Sequence, residues 1–161
     1  MAEAKKVTPP VALQLKRTFP FPRERVFAAF ATQEQMDRWM CRDAKNHEIK
    51  YLKFDFRVGG GFELEIHVPN GEAYAMHCAY LEIVKPEKIK FSWGYERIAS
   101  SGKRLDDGLE ATLVTFEFHE RDGATEVVLT HELLPNEQQL KDHRQGWTGC
   151  LHKLGELLAS A

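Results

Sequence analysis

Of 161 residues only three are cysteine, and Cys41, Cys78 and Cys150 stand far apart with no CxxC pair. Scattered thiols in odd number exclude a disulfide framework and suit a reducing cytoplasm, where the protein is expected to reside. Nowhere do 18 apolar residues follow one another, and the start, MAEAKKVTPPVALQLKR, carries Lys5 and Lys6 without an apolar run of signal-peptide length. Neither export nor a membrane span is expected. A basic excess is also missing: 22 lysines and arginines face 24 aspartates and glutamates, a formal net charge of -2. Nothing in that balance attracts a phosphate backbone, so no nucleic-acid partner is expected. Internal repeats, low-complexity tracts and Gly/Ser linkers are absent too, so no internal domain boundary is marked.

What remains describes an ordinary globular chain, 43% hydrophobic, 29% charged and 11% aromatic. At this length a single domain buries about 68–70% of its unfolded surface. Residues 1–10 read as a flexible N-terminal tail and 11–161 as a single domain.

Hydrophobic periodicity divides that domain. Val11 to Arg17 alternates as a half-buried strand does, and Pro20 and Pro22 break it. Pro22 suits a first helical turn, and Val26, Phe27 and Phe30 give a short helix over Pro22 to Ala31 its apolar face. Thr32-Gln33-Glu34-Gln35 is a capping-box pattern that starts a second short helix carrying Met36 and Trp39. Period two then takes over through Ile49, Tyr51, Phe54 and Phe56 to Gly59-Gly60-Gly61, where missing Cβ atoms allow a bulge or sharp turn. Phe62 to Val68 alternates cleanly, Asn70-Gly71 signals a hairpin, and Tyr74 to Val84 returns. Ile89, Phe91, Trp93 and Tyr95 share one face of the next strand. Arg97 to Leu109, poor in apolar residues, reads as a flexible connection, either a lid or a plain loop. Val114, Phe116 and Phe118, then Val127, Leu129, His131 and Leu133, mark two more strands about Asp122-Gly123. From Asn136 to about Ser160, the residues Leu140, His143, Trp147, Leu151, Leu154 and Leu158 form one stripe on a helix of roughly 25 residues and about 37 Å.

The sum is an α+β chain: a curved antiparallel sheet of about six to seven strands, two short helices and one long C-terminal helix packed across it. Between a curved sheet and one covering helix lies the concave, mostly apolar kind of site that holds small molecules.

If Asn70-Gly71 makes a two-residue turn, Leu64 faces His77. Phe62, Leu64, Ile66 and Val68 then share the interior face with Ala73, Ala75, His77, Ala79 and Leu81. Tyr74, Met76, Cys78 and Tyr80 fall outward, where they would cover another element or a second subunit, so a homodimer stays open as a partner. His131 alternates with Val127, Leu129 and Leu133 and also points inward. His77, His131 and His143 could supply a general acid/base pair or a zinc site, yet they lack HxH or HExxH spacing, and an interior histidine more often satisfies a neighbour's hydrogen bond. No metal and no cofactor is expected. Asp142-His143 is no dyad, since adjacent helical residues point about 100° apart. Cys150 lies one turn from Trp147, and neither it nor Cys78 has a neighbouring cation that would activate a thiol. Trp39, Trp93 and Trp147 sit on three elements whose apolar faces converge, as pocket wall or as core. Gly59-Gly60-Gly61 is no phosphate loop, because no helix and no Gly-Lys-Ser/Thr follows it.

The chain resembles the START-like, or SRPBCC, superfamily with its Bet v 1-like helix-grip fold, and within it the AHSA1 group, named for the C-terminal domain of the activator of the Hsp90 ATPase. The resemblance is carried by Phe21-Pro22-Arg23-Glu24-Arg25-Val26-Phe27 with Trp39, by Arg57-Val58-Gly59-Gly60-Gly61-Phe62 and by Asn70-Gly71. It continues through Tyr80 to Ile89, Phe91-Ser92-Trp93, Val114-Thr115-Phe116 and Leu129-Thr130-His131 to Gly146-Trp147 and Leu154. It implies a domain that binds a small hydrophobic or aromatic molecule between sheet and C-terminal helix. Inward parity and helix facing select Trp39, Phe62, Leu64, His77, Trp93, Tyr95, Phe116, His131, Trp147 and Leu151 as cavity residues. No catalytic residue is assigned, because the shared motifs are turn glycines and core aromatics. Two alternatives are kept: a polyketide cyclase/aromatase-like enzyme with His77, His131 or Tyr95 moving a proton, and a co-chaperone-like protein-interaction domain.

Overall fold

The two periodicities become β1 (Val11–Phe19), α1 (Arg23–Ala28), α2 (Gln33–Asp37), β2 (Glu48–Asp55), β3 (Gly61–His67), β4 (Ala73–Val84), β5 (Lys88–Ile98), β6 (Arg104–Leu105), β7 (Thr112–Arg121), β8 (Ala124–Leu134) and α3 (Glu137–Ala159). The structure, a computed structural model, describes residues 10–40, 48–69, 71–105 and 111–160. Most of the expected N-terminal tail lies outside them, as do Cys41 and Asn70. The helix signals hold locally. Thr32 accepts from the Gln35 amide at the start of α2, and Asn136 accepts from the Gln139 amide at the start of α3. Pro22 is the residue that caps α1 rather than its first helical residue, and that helix ends three residues sooner than its apolar spacing suggests.

Seven strands join antiparallel in the order β1-β8-β7-β5-β4-β3-β2, with β6 added on β5. Part of the segment read as a loop is therefore strand, β5 reaching Ile98 and β6 returning beside it; positions 106–110 lie outside the described residues. Register shifts fall between Val11 and Leu13, Tyr51 and Lys53, and Tyr80 and Glu82, and such bulges bend a strand and add twist. Two glycines hold the corner before β3. Gly59 has φ +87°, and a Cβ on Gly61 would run into the Cys78 carbonyl oxygen on β4.

The β3–β4 hairpin corrects the expected register. Val68 donates to the Glu72 carbonyl and Gly71 to the Val68 carbonyl, so the loop spans positions 69–71, three residues rather than two. The cause is Pro69. A two-residue turn needs the residue before it to donate an amide proton across the hairpin, and proline has none. Pro69 instead suits the first corner of a three-residue loop, which Gly71 closes at φ +90°. Leu64 now faces Met76, Phe62 faces Cys78 and Ile66 faces Tyr74, while His77 faces Glu63. One residue of slip turns every β4 side chain to the other face. Tyr74, Met76, Cys78 and Tyr80 are thus interior, so the outward surface on which a second subunit was expected is built from other residues. His77 leaves the interior altogether.

The core is aromatic. Phe62 packs against Tyr80 and Phe91, Phe91 stacks on Phe116, and Phe30 meets Phe116 and Phe118. Each such ring, fully buried, contributes about 1.5–3 kcal/mol. The C-terminal half of α3 is fastened at this core. Leu154 is fully buried, Gly155 lies against Arg17 and Phe19 of β1, and Arg25 of α1 donates to the Leu158 carbonyl, a cation at the negative end of a helix. The N-terminal half passes over β5, where Trp147 meets Trp93 with ring centroids 4.9 Å apart.

Candidate functional site

Where the N-terminal half of α3 crosses β3, β4 and β5, sheet and helix enclose a cleft of about 350 Å³, within the range of small-molecule sites. Four buried side chains form its deep part: Met76 and Trp93 from the sheet, Trp147 and Cys150 from the helix. Around them Ile66, Tyr74 and Tyr95 rise from the strands, and Gln139, Asp142, His143 and Gly146 line the helical side. Alternation puts Trp93 and Tyr95 on one face of β5, and Tyr74 and Met76 on the same face of β4. Helical spacing puts residues 139, 143, 146/147 and 150 on one stripe of α3.

His131 lies directly behind this cleft and is fully buried. Its Nδ1 accepts from the Trp147 indole N–H at 3.0 Å, which leaves the ring proton on Nε2, 2.6 Å from Thr112 Oγ1. Thr112 in turn donates to the Trp93 carbonyl at 3.1 Å. Every proton in the sequence Trp147, His131, Thr112, Trp93 carbonyl runs the same way, and both imidazole nitrogens are engaged. Burial, and beyond it the adjacent His143, push the His131 pKa down to about 3. A neutral imidazole with its acceptor nitrogen already bonded orients the Trp147 indole and does not take up a proton near neutrality.

The other polar groups are placed as definitely. His143 stacks edge-on to His131, centroids 4.7 Å apart, and its Nδ1–H donates to the Gln139 carbonyl at 2.8 Å. Tyr74 donates to the Glu72 carboxylate at 3.2 Å; burial first, then that carboxylate, raise its phenol pKa above the usual value. Asp142 accepts from Gln138 at 3.0 Å on the exposed side of the helix. Cys78 sits away from the cleft under Phe62, where burial drives its thiol pKa far up and leaves no thiolate for chemistry. Among the described residues no group of three or more His, Cys, Asp or Glu side chains is arranged to hold a metal ion.

Of the ten residues selected from the sequence, Trp93, Tyr95 and Trp147 line the cleft. Phe62, Leu64, Phe116 and Leu151 are buried in the core beneath it. Trp39 is also core: its indole donates to the Ala29 carbonyl at 2.8 Å and ties α1 to α2, with Phe116 between it and Trp147. His77 stands on the opposite face of the sheet, 3.5 Å from Glu63 and 3.7 Å from Glu96, so the acid/base pair that His77 and His131 could have supplied is not formed. Sequence parity sent Tyr74 and Met76 outward, and only the proline before Asn70-Gly71 could have warned of it. Gln139, Asp142 and Gly146 were not among the residues selected, Asp142 having been weighed only as a dyad partner of His143. The signal for them was the continuation of the apolar α3 stripe toward its N-terminus at the same three- to four-residue spacing.

A twisted antiparallel sheet wrapped about one long C-terminal helix, with a mostly apolar cleft between them, defines a helix-grip domain. The family model of activator of Hsp90 ATPase homolog 1-like protein matches residues 20–159, and the chain belongs to that family. Solved structures agree. A putative uncharacterized protein from Rhizobium leguminosarum superposes with TM-score 0.77 at 25% identity, covering 94% of this chain and 96% of its own. A Rhizobium loti protein gives 0.72 at 26% identity, covering 92% and 96%. One from Chromobacterium violaceum gives 0.76 at 24% identity, covering 91% and 96%, a likeness of fold. No curated protein matches the chain. No helix among the described residues is long and apolar enough to cross a membrane.

Proposed function

We propose that the protein binds a small hydrophobic or aromatic molecule in the cleft between β3–β5 and α3, and that it acts as a binding module rather than an acid/base enzyme. One observation carries the reading: Trp93 and Trp147 present their rings to a cleft of about 350 Å³ whose deep wall is otherwise Met76 and Cys150. Burying a flat apolar molecule there removes its surface from water and sets it against fixed aromatic faces, and each 100 Å² so buried contributes about 2.5 kcal/mol before association costs. The buried histidine that a cyclase-like mechanism would recruit is instead bonded at both nitrogens. Family membership supports the binding theme, and the scattered cysteines support a cytoplasmic location.

Native mass spectrometry of freshly purified protein beside a denatured control tests this, followed by thermal-shift titration with aromatic and apolar compounds and tryptophan fluorescence as the site-specific readout. A co-purifying mass of a few hundred daltons, or a stabilising compound whose shift grows with concentration, is the expected result. Ile66→Trp, which fills the partly exposed wall of the cleft, is expected to weaken that compound at least tenfold while the apo protein stays folded. Binding that survives Ile66→Trp unchanged would move the ligand elsewhere.

A further inference from the structure

The charge around the cleft is one-sided. Among the described residues lining it, Asp142 is the single carboxylate, and no lysine or arginine joins it. Arg97 pairs across from Tyr74 and lines a separate depression with Glu72 and Ser100. The hydrogen bonds add to this asymmetry. Three protons that could have faced a ligand are already taken by protein acceptors: the Trp147 indole N–H by His131, the Tyr74 hydroxyl by the exposed Glu72 carboxylate, and the His143 Nδ1–H by the Gln139 carbonyl. What those groups can still offer a ligand is the π-face of each ring and the lone pair of the Tyr74 oxygen. Trp93 and Tyr95 keep a donor each.

Aromatic rings also fill the wall. Trp93 and Trp147 meet at 4.9 Å and 51°, Tyr74 and Tyr95 at 6.5 Å and 73°, so the four rings bound the space from more than one direction. Their negative faces attract a cation, and best where water is partly excluded.

Resting on the cleft being the ligand site, we propose that its ligand carries a cationic nitrogen on an aromatic or apolar body: the body lies against Trp93 and Trp147, and the ammonium group lies toward Asp142 and the tyrosine rings. An anionic ligand would instead place its charge beside the Asp142 carboxylate, with no lysine or arginine among the lining residues to offset it.

Three naphthyl probes that carry a positive, no and a negative charge test the assignment: naphthylmethylamine, naphthalenemethanol and naphthoate, titrated at pH 7.5 and low salt by calorimetry and tryptophan fluorescence. The amine is expected to bind at least about tenfold more tightly than the alcohol, with naphthoate weakest. Asp142→Asn, still able to accept from Gln138, is expected to bring the amine within about threefold of the alcohol. An alcohol or naphthoate that binds as well as the amine would overturn the charge assignment while leaving the cleft a ligand site. A preference for the amine that survives Asp142→Asn would remove Asp142 as the counter-charge and overturn it as well. Failure of all three probes up to millimolar concentration would overturn the cleft reading, and this assignment with it.

Discussion

The Trp147 indole N–H donates to His131 Nδ1 across 3.0 Å, joining the helix that covers the sheet to β8, the strand between β1 and β7. The bond fixes the imidazole tautomer, and through Thr112 the tautomer fixes a link to the β5 backbone beside Trp93. The two tryptophans of the cleft are therefore positioned by one buried histidine.

That histidine makes stability depend on pH. Its folded pKa is about 3 against an ordinary value of 6.5, so above pH 6.5 both folded and unfolded states hold it neutral and the fold loses nothing. Below 6.5 the unfolded chain binds a proton that the folded one refuses, and stability falls toward pH 3 by up to about 1.4 kcal/mol per unit. His131→Gln, which keeps an acceptor for Trp147, is expected to flatten this slope relative to wild type. Urea melts at pH 7, 6, 5 and 4.5 measure it, and parallel slopes in the two proteins would refute the assignment.

Thr112 is the acceptor for the His131 Nε2–H. Thr112→Val keeps the volume but strands that buried donor, at a cost of about 1–3 kcal/mol, while Thr112→Ser keeps the hydroxyl and is expected to stay within about 1 kcal/mol of wild type. Equal melting temperatures for the valine variant and wild type would show that the imidazole finds another partner.

The hairpin register can be read from two truncations. Leu64 is interior, so Leu64→Ala is expected to cost about 2–5 kcal/mol; His77, half exposed between Glu63 and Glu96, is expected to cost less than about 1 kcal/mol as alanine. A two-residue turn would make His77→Ala the severe change as well.

Tyr80 is buried among Phe56, Phe62 and Phe91, and its hydroxyl finds no hydrogen-bond partner among the described residues. Burial raises its pKa and keeps the phenol protonated. Removing an unpartnered buried hydroxyl returns its desolvation cost, so Tyr80→Phe is expected to leave stability unchanged or raise it by about 1 kcal/mol. A loss above about 2 kcal/mol would point to a partner for that oxygen.

Much of this architecture was legible in the residues. Alternation located seven strands, the stripe from Leu140 to Leu158 located α3, and inward parity placed His131 inside. The cleft was legible only in part, because a strand's facing depends on a parity that one loop residue inverts. Pro69 lacks the amide proton that a two-residue turn requires, and through it Tyr74 and Met76 came to the ligand side while His77 left it. Periodicity and capping chemistry are local, and the residues alone located seven of the eight strands and the three helices. Tertiary packing alone decided that Trp39 seals α1 to α2 while Trp93 and Trp147 face a cleft, and that His131 is held neutral, because indole partners and burial are set by residues far apart in the chain.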